Sequence, residues 1–236
     1  MEYDMQAELK HIIESINKAV VDPVPSDNIY LTNVFSDKMY QTVLKNLPPN
    51  EAYDYIIHPD AVLPDGTKTR MLLDITASTL SRIPEASRHF WQQISQTFSS
   101  QALQDAITQK FAAKINERFG NKWPEMITVP ILYRDFTGYY ISVHPDAPYK
   151  IATLQLYFPI DNSQVDLGTS FYLKMGNQFT KIKTNQFLPN TGYAFVRTDN
   201  SWHGVEQINR PNIIRNTLAI TVYEKGSEYK SSDRKM

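Results

Sequence analysis

Apolar residues recur with the period of an α-helix in the first half of the chain. Residues 6–20 form one apolar stripe, made of Leu9, Ile12, Ile13, Ile16, Ala19 and Val20. Ser36 has the position of an N-cap for a second helix, which ends at the pair Pro48-Pro49. Residues 84–119 show the same period in two pieces, and Gly120 follows where a C-cap is expected. The pattern predicts helices over these stretches, with a short strand at 28–35.

The second half has the pattern of an antiparallel β-structure. Val, Ile, Thr, Tyr and Phe are enriched from residue 127 to 224, and turn signals recur roughly every ten residues. Eight candidate strands cover 127–136, 139–144, 152–160, 169–175, 181–189, 192–197, 203–208 and 216–224. We expect a mainly β protein with α-helices: a jelly roll, or cupin-like double-stranded β-helix, with the N-terminal helices packed on one sheet.

The patterns also predict how the chain is divided. We expect one domain over residues 1–236, with a helical part up to 122, a jelly-roll core at 127–224 and a polar tail at 227–236. The helical part includes a polar, proline-containing region at 50–72 in which we expect turns and a few short strands.

Composition narrows the classes of function. The 236 residues carry a formal net charge of −1, which argues against nucleic acid or anionic membranes as partners held by bulk charge. The absence of cysteine excludes thiolate metal sites and cysteine nucleophiles. The sequence contains neither a signal-like N-terminus nor an apolar stretch that is long enough to span a membrane. We therefore expect a cytoplasmic protein, monomeric or homodimeric.

The tripeptide His-Pro-Asp occurs twice, at 58–60 and at 144–146. In either copy the imidazole and the carboxylate, two residues apart, lie on the same side of an extended backbone and are able to bind one metal ion. The first copy lies among turn residues, whereas the second ends the clear strand at 139–144. We therefore prefer His144 and Asp146 as ligands, although a turn in which the aspartate caps a backbone amide is an alternative for each copy.

Two downstream residues strengthen the second copy. His203 follows the strand-and-turn segment at 192–202, and Arg215 precedes the last strand. Two histidines and one carboxylate on a β-scaffold are the ligand set of non-haem Fe(II) sites. His144, Asp146 and His203 are called the triad below. An arginine on a neighbouring strand suits a carboxylate, which its planar fork binds through two nitrogens. Arg210 is the competitor for that role, but it is followed by Pro211 and precedes the strand.

Residues 127–224 resemble the Fe(II)- and 2-oxoglutarate-dependent dioxygenases, in particular their prolyl-hydroxylase-like branch. Besides the triad, LGTSF at 167–171 is similar to a glycine-rich strand of that family. FLPNTGYAF at 187–195 is similar to the stretch that precedes the family's distal histidine. The resemblance implies that the triad binds Fe(II) and that Arg215 binds the distal carboxylate of 2-oxoglutarate. It also implies that Tyr157 and Thr217 assist Arg215.

The same resemblance implies a reaction. Fe(II), 2-oxoglutarate and O2 would hydroxylate an unactivated C–H bond, with release of succinate and CO2. A compact chain suits a small substrate such as a free amino acid. Arg70, Arg134 and Tyr140 are candidate substrate-binding residues, with structural ion pairs as the alternative for both arginines. Protein or peptide side-chain hydroxylation of the prolyl type is a second possibility for the function. A non-catalytic jelly-roll binding protein is a third.

Overall fold

The computed structural model describes residues 4–227, so the predicted polar tail lies outside the described residues except for Ser227. The helices are α1 (Met5–Lys18), α2 (Asp37–Asn46), α3 (Glu85–Phe98), α4 (Gln101–Lys110) and α5 (Ala112–Phe119). The strands are β1 (Asn28–Thr32), β2 (Asp54–Tyr55), β3 (Arg70–Asp74), β4 (Met126–Phe136), β5 (Ile141–His144), β6 (Lys150–Tyr157), β7 (Ser170–Met175), β8 (Gln178–Thr184), β9 (Thr191–Val196), β10 (His203–Val205) and β11 (Ile214–Glu224). Single turns of 3₁₀-helix occupy Asn50–Ala52, Pro59–Ala61, Leu80–Arg82 and Asn162–Gln164.

Local sequence signals account for most helix ends. The hydroxyl of Ser36 accepts a hydrogen bond from the amide of Met39, which makes it the N-cap that the sequence predicts for α2. Gly120, at φ 65°, ends α5 as expected. The stretch 84–119 forms three helices instead of two, because the backbone leaves helical geometry at Phe111, where φ is −113°. Phe111 itself is buried in the core.

Two antiparallel sheets form the β-structure. The larger has the strand order β1-β9-β6-β11-β4-β3-β2, and the smaller has the order β5-β10-β7-β8. A shared apolar cluster holds their inner faces together, with Tyr157, Tyr193 and Phe195 from the larger sheet and Phe171 and Val205 from the smaller one. This is the double-stranded β-helix expected from the sequence. Three strands of the larger sheet, β1 to β3, come from the part of the chain before residue 122.

Alternation along the central strands separates a structural face from a polar face. In β11, Leu218 and Ile220 point away from the smaller sheet and belong to the main core, together with apolar residues of α1, α3 and α4. The intervening residues, Arg215 and Thr221 among them, face the space between the sheets. The helices thus cover one face of the larger sheet, as predicted, and leave the other face to line a cavity. Within residues 4–227, no helix is long and apolar enough to cross a membrane.

Candidate metal centre and its cavity

The triad comes together at one end of the smaller sheet. His144 is the last residue of β5 and pairs in register with His203, the first residue of β10. Their ring centroids are 4.5 Å apart. Asp146 follows two residues after His144, and one ligand atom from each triad residue lies within 4.8 Å of the other two. Within residues 4–227, this is the one group of three or more His, Asp or Glu side chains that is close enough to hold a metal ion.

Backbone carbonyls orient both imidazoles. The Nδ1 atom of His144 lies 2.7 Å from the carbonyl oxygen of Ser142, and Nδ1 of His203 lies 2.9 Å from that of Ser201. A carbonyl only accepts, so each Nδ1 carries the proton and donates it. That tautomer leaves the lone pair of each Nε2 for a metal ion, an arrangement typical of metal-binding histidines.

The charge states of His203 and Asp146 suit a divalent cation. Burial lowers the pKa of His203 to about 4, reinforced by His144 and opposed by Asp146, so the imidazole is neutral at neutral pH. Burial favours the neutral acid of Asp146, but Lys150 and the two histidines outweigh it and hold the pKa of Asp146 well below its usual range. The Asp146 carboxylate accepts from Lys150 Nζ at 2.7 Å and from the Thr153 hydroxyl at 3.0 Å. A neutral imidazole nitrogen of His203 and an anionic oxygen of Asp146 are therefore present together.

Arg215 closes the deep end of the cavity between the sheets. Its side chain is 1% exposed, Nε donates to the carbonyl oxygen of Leu167 at 2.7 Å, and Nη1 donates to Asp135 Oδ2 at 2.6 Å. Its Nη2 is buried without a hydrogen-bond partner in residues 4–227. A buried, unpaired guanidinium nitrogen is costly unless a ligand accepts from it. The deep end is therefore suited to an anion.

Asp135 links Arg215 to a second arginine. The three residues lie side by side on β3, β4 and β11, because Asp135 is paired in register with both Arg70 and Arg215. Asp135 is fully buried, and its Oδ1 lies 3.1 Å from Arg70 Nε. One carboxylate is thus shared by two guanidinium groups, which leaves one positive charge in excess in this cluster. Asp135 was missed by the sequence analysis, although a charged residue within an otherwise apolar strand was the available signal.

Tyr157 and Thr217 lie near Arg215, with their hydroxyls engaged elsewhere. The Tyr157 hydroxyl accepts from the amide of Thr169 at 3.1 Å, and the Thr217 hydroxyl accepts from Gln155 Nε2 at 3.0 Å. Burial raises the pKa of Tyr157, and Arg215 opposes that rise. The Tyr157 ring centroid lies 5.7 Å from Arg215 Cζ. The assistance of Tyr157 and Thr217 to Arg215 stays a prediction.

Tyr193 and its neighbours form the cavity wall beside Arg215. The Tyr193 hydroxyl lies 2.5 Å from Gln155 Oε1 and 2.9 Å from the Thr169 hydroxyl. Burial raises the pKa of Tyr193 well above its usual value, so the phenol keeps its proton. Neither Tyr193 nor Thr169 was singled out from the sequence, because a tyrosine and a threonine within β-strands carry no distinguishing pattern.

The structure places the three candidate substrate-binding residues differently with respect to the cavity. Arg70 lines the cavity and stacks between the rings of Tyr133 and Tyr139, 4.0 and 4.7 Å from their centroids. Arg134 does not line the cavity, because alternation along β4 turns its side chain to the opposite face of the sheet. There it donates hydrogen bonds to Pro48, Asn50 and Asn216. Arg134 is thus a structural residue. Tyr139 lines the cavity in the place where Tyr140 was expected, since β5 begins only at Ile141 and the alternation does not continue through the turn before it.

An outer chamber of about 300 Å³ adjoins the triad. Its polar wall includes Arg70 and Lys150, which also border the deep end, together with His58 and Asp60 from the first His-Pro-Asp tripeptide. Ile56, Ile141 and Tyr149 supply apolar surface. The triad residues His144 and Asp146 line both spaces, so the candidate metal site lies where the two meet. Lys150 and His58 were not expected at the cavity.

The protein-family models and the curated proteins give no match to this chain. Solved structures do match. A prolyl hydroxylase from Trichoplax adhaerens, in complex with a peptide fragment of the hypoxia inducible factor oxygen degradation domain, is 14% identical with a TM-score of 0.51 over 98% of both chains. A prolyl-4-hydroxylase from Pseudomonas putida is 10% identical with a TM-score of 0.54, over 92% of this chain and 99% of that one.

The chain has the prolyl hydroxylase fold. The resemblance seen in the sequence from residue 127 onwards is confirmed for the fold, and it extends over nearly the whole chain, since the helices and strands before residue 127 are covered as well. At these identities the likeness concerns the fold, so the chemistry has to be argued from the triad and from the cavity around it.

Proposed function

We propose that this protein is an Fe(II)- and 2-oxoglutarate-dependent oxygenase that hydroxylates an unactivated C–H bond of a small molecule. The observation that carries the proposal is the position of the triad between two spaces of different character. The deep space ends at a buried guanidinium nitrogen without a partner. The outer chamber has room for a second molecule. An enzyme that binds a cosubstrate and a substrate at one metal ion needs both spaces.

The residues present fit both groups. His144 and His203 offer imidazole nitrogens and Asp146 a carboxylate, the ligand set of non-haem Fe(II) oxygenases, which leaves coordination positions open. Arg215 Nη2 would bind the distal carboxylate of 2-oxoglutarate, with Tyr157 and Thr217 beside it. When bound, Fe(II) and 2-oxoglutarate supply the oxidising chemistry, in which O2 is consumed and succinate and CO2 are released.

The protein's own part is binding, orientation and exclusion of water. Carbonyls of Ser142 and Ser201 fix the rings of the two histidines. Lys150 and Thr153 hold the carboxylate of Asp146 in place, one at each oxygen. The deep end is enclosed by buried residues, which strengthens the attraction between Arg215 and an anion because the local dielectric constant is low.

The outer chamber favours a small substrate. Its volume of about 300 Å³ lies at the lower end of the range for small-molecule sites. Arg70 and Lys150 give one side of the chamber cationic groups, and Ile56 and Ile141 give it apolar surface. A free amino acid, with a carboxylate and an aliphatic side chain, matches these features. Hydroxylation of a peptide side chain is the second candidate, since the Trichoplax adhaerens protein holds a peptide fragment.

The test is succinate formation in a panel of free amino acids and proline-containing peptides, with Fe(II), 2-oxoglutarate and O2 supplied. His203→Ala is the matched negative control, because it removes one ligand. We expect one free amino acid to increase succinate release well above the substrate-free rate in the native protein alone. Stimulation by peptides and not by any free amino acid would favour the second candidate. Succinate release equal in the native and His203→Ala proteins would contradict the proposed activity.

A further inference from the structure

The two His-Pro-Asp tripeptides are neighbours in the fold. Asp60 of the first copy accepts two hydrogen bonds from Ser142, two residues before His144 of the second copy. Its Oδ2 lies 2.8 Å from the backbone nitrogen of Ser142, and its Oδ1 lies 3.2 Å from the Ser142 hydroxyl. The two residues are 82 positions apart in the chain. The first copy is thus attached to the strand that carries the second.

The position of β5 explains why this contact has a structural effect. β5 is the edge strand of the smaller sheet and, among residues 4–227, pairs with β10 alone, over a register that shifts between His203 and Val205. Short edge strands have backbone groups without strand partners and are weakly held. A carboxylate is a strong acceptor for such an amide, because a charge-assisted hydrogen bond is about twice as strong as a neutral one. Asp60 therefore fixes the outer side of β5 at Ser142.

Ser142 in turn orients the metal ligand. Its carbonyl oxygen is the acceptor for Nδ1–H of His144, at 2.7 Å. Ser142 therefore donates to the Asp60 carboxylate through its amide and hydroxyl, and it orients the His144 imidazole through its carbonyl. His203 lacks this link, since its Nδ1–H donates to Ser201.

The turn that presents Asp60 is itself held in place. The amide of Asp60 donates to Nδ1 of His58 at 3.2 Å, within the 3₁₀ turn Pro59–Ala61, and the amide of Ala61 donates to the carbonyl of His58 at 2.8 Å. Ala61 is buried among apolar residues of the larger sheet. The Asp60 carboxylate thus reaches β5 from a turn that hydrogen bonds and the burial of Ala61 hold in place.

We propose that Asp60 is a positioning residue for the metal ligand His144, acting through Ser142. The proposal rests on the metal site of the proposed function. Partners that orient a ligating histidine typically change metal affinity by roughly 10–100-fold when they are removed. Asp60→Asn keeps the size of the side chain and removes its charge and one of its two acceptor oxygens. We expect this substitution to weaken metal binding by roughly tenfold.

The experiment uses Co(II) as the probe, with its dissociation constant measured by competition against a chelator. Asp65→Asn is the matched control, because Asp65 also accepts from a backbone amide, that of Thr67 at 2.9 Å, but in an exposed turn without a link to the triad. We expect Asp60→Asn to weaken Co(II) binding and Asp65→Asn to leave it unchanged. The affinity for 2-oxoglutarate at saturating Co(II) should be the same in both, since Arg215 lies at the other end of the cavity.

A second readout separates positioning from a general loss of stability. In the Co(II) protein we expect the Nδ1 protons of His144 and His203 to give separate paramagnetically shifted NMR resonances. Asp60→Asn should speed solvent exchange of the His144 proton severalfold and leave that of His203 unchanged. Ser142→Ala removes only the hydroxyl contact and should show a smaller effect of the same kind, and it takes the place of Asp60→Asn if that protein does not fold.

The outcomes distinguish this inference from the proposed function. Native protein that does not bind Co(II) would overturn both. Native protein that binds Co(II), with an unchanged dissociation constant and unchanged exchange of the His144 proton in the variants, would overturn the role of Asp60 and leave the proposed function standing. Equal acceleration of both histidine protons would also overturn it, because the effect would then come from loosening of the whole sheet.

Discussion

At the scale of single residues, the nitrogens of Arg215 are committed unequally. Nε and Nη1 are bound to Leu167 and Asp135, and only Nη2 is without a partner. The sequence predicted a fork that binds a carboxylate through two nitrogens. In the structure Asp135 already occupies one side of that fork, so the cosubstrate carboxylate is expected to depend on Nη2 and on the excess positive charge of the cluster. Residue type alone does not reveal that a neighbouring strand supplies a competing carboxylate.

Arg215→Ala should weaken 2-oxoglutarate binding strongly and leave metal binding nearly unchanged. Removing one partner of a buried charge pair costs about 2–5 kcal/mol, which is roughly 30-fold or more in affinity. Arg215→Lys should recover part of the loss, since an ammonium keeps the charge and loses the fork. The measurement is an anaerobic titration of each variant with 2-oxoglutarate in the presence of Fe(II).

Arg210→Ala is the control for that titration. Arg210 binds Asp166 and the carbonyl of Ser163 at an exposed position, outside the cavity. Its replacement should leave the affinity for 2-oxoglutarate as in the native protein. Loss of binding in Arg210→Ala with retention in Arg215→Ala would show that the cosubstrate arginine has been assigned to the wrong residue.

Asp135→Asn should lower the stability of the fold. The substitution removes the counter-charge that the buried Arg215 and the part-buried Arg70 share. Breaking such a buried pair costs about 3–5 kcal/mol, because the charge of Arg215 is left buried without it. Adding Arg70→Gln should restore part of the lost free energy of unfolding, since it lowers the positive charge of the cluster. Urea unfolding of the single and double variants checks this, and simple additivity would argue against a shared carboxylate.

At the scale of elements, one glycine decides how the loop at 185 approaches β7. A Cβ atom on Gly168 would lie 1.6 Å from the backbone oxygen of Asn185, so the backbone itself would have to shift. Gly168→Ala should therefore destabilise the protein by at least about 1–3 kcal/mol, the usual cost of overpacking. Gly176→Asn is the control, because Gly176 is in open space at φ 59°, a conformation that asparagine tolerates. Thermal unfolding compares the two, and equal stability would contradict this reading of Gly168.

Element types were more predictable than their boundaries and contacts. Strands of the second half follow from period-two patterns, because their two faces meet different surroundings along their whole length. The break at Phe111 has no such signal, since a buried aromatic residue fits a continuing helix equally well. Tyr139 lines the cavity where Tyr140 was predicted to do so, because β5 begins only at Ile141 and strand alternation has no physical basis in the turn before it.

Some residues of the candidate site could be predicted from the sequence and others could not. The triad was predictable because His144 and Asp146 stand two residues apart at the end of one strand, and His203 follows a later strand-and-turn segment. Asp60 was not, since its role depends on a contact with Ser142 across 82 residues of chain. For the first tripeptide the sequence favours a turn whose aspartate caps a backbone amide. Asp60 does cap an amide, and that amide belongs to Ser142 on the strand that carries His144.

At the scale of the whole molecule, metal binding is expected to stabilise the fold, because the triad joins two strands and the segment that follows them. A ligand at 100 times its dissociation constant adds about 2.7 kcal/mol to the free energy of unfolding. For a chain of this size that corresponds to a rise in Tm of roughly 5–10 °C. Differential scanning calorimetry with and without Fe(II) under anaerobic conditions measures it. The rise in Tm should vanish in His144→Ala and persist in His58→Ala. The opposite result would show that the metal binds at the first tripeptide.

The most direct test of the account is anaerobic equilibrium binding of 2-oxoglutarate to the native protein with and without Fe(II). The account predicts one 2-oxoglutarate per chain, bound much more tightly when Fe(II) is present, because the triad-bound metal and Arg215 hold opposite ends of the same molecule. His203→Ala should remove the dependence on Fe(II), and Arg215→Ala should weaken binding while leaving that dependence in place. Binding that is equally tight without Fe(II), or that is unaffected by His203→Ala, would contradict it.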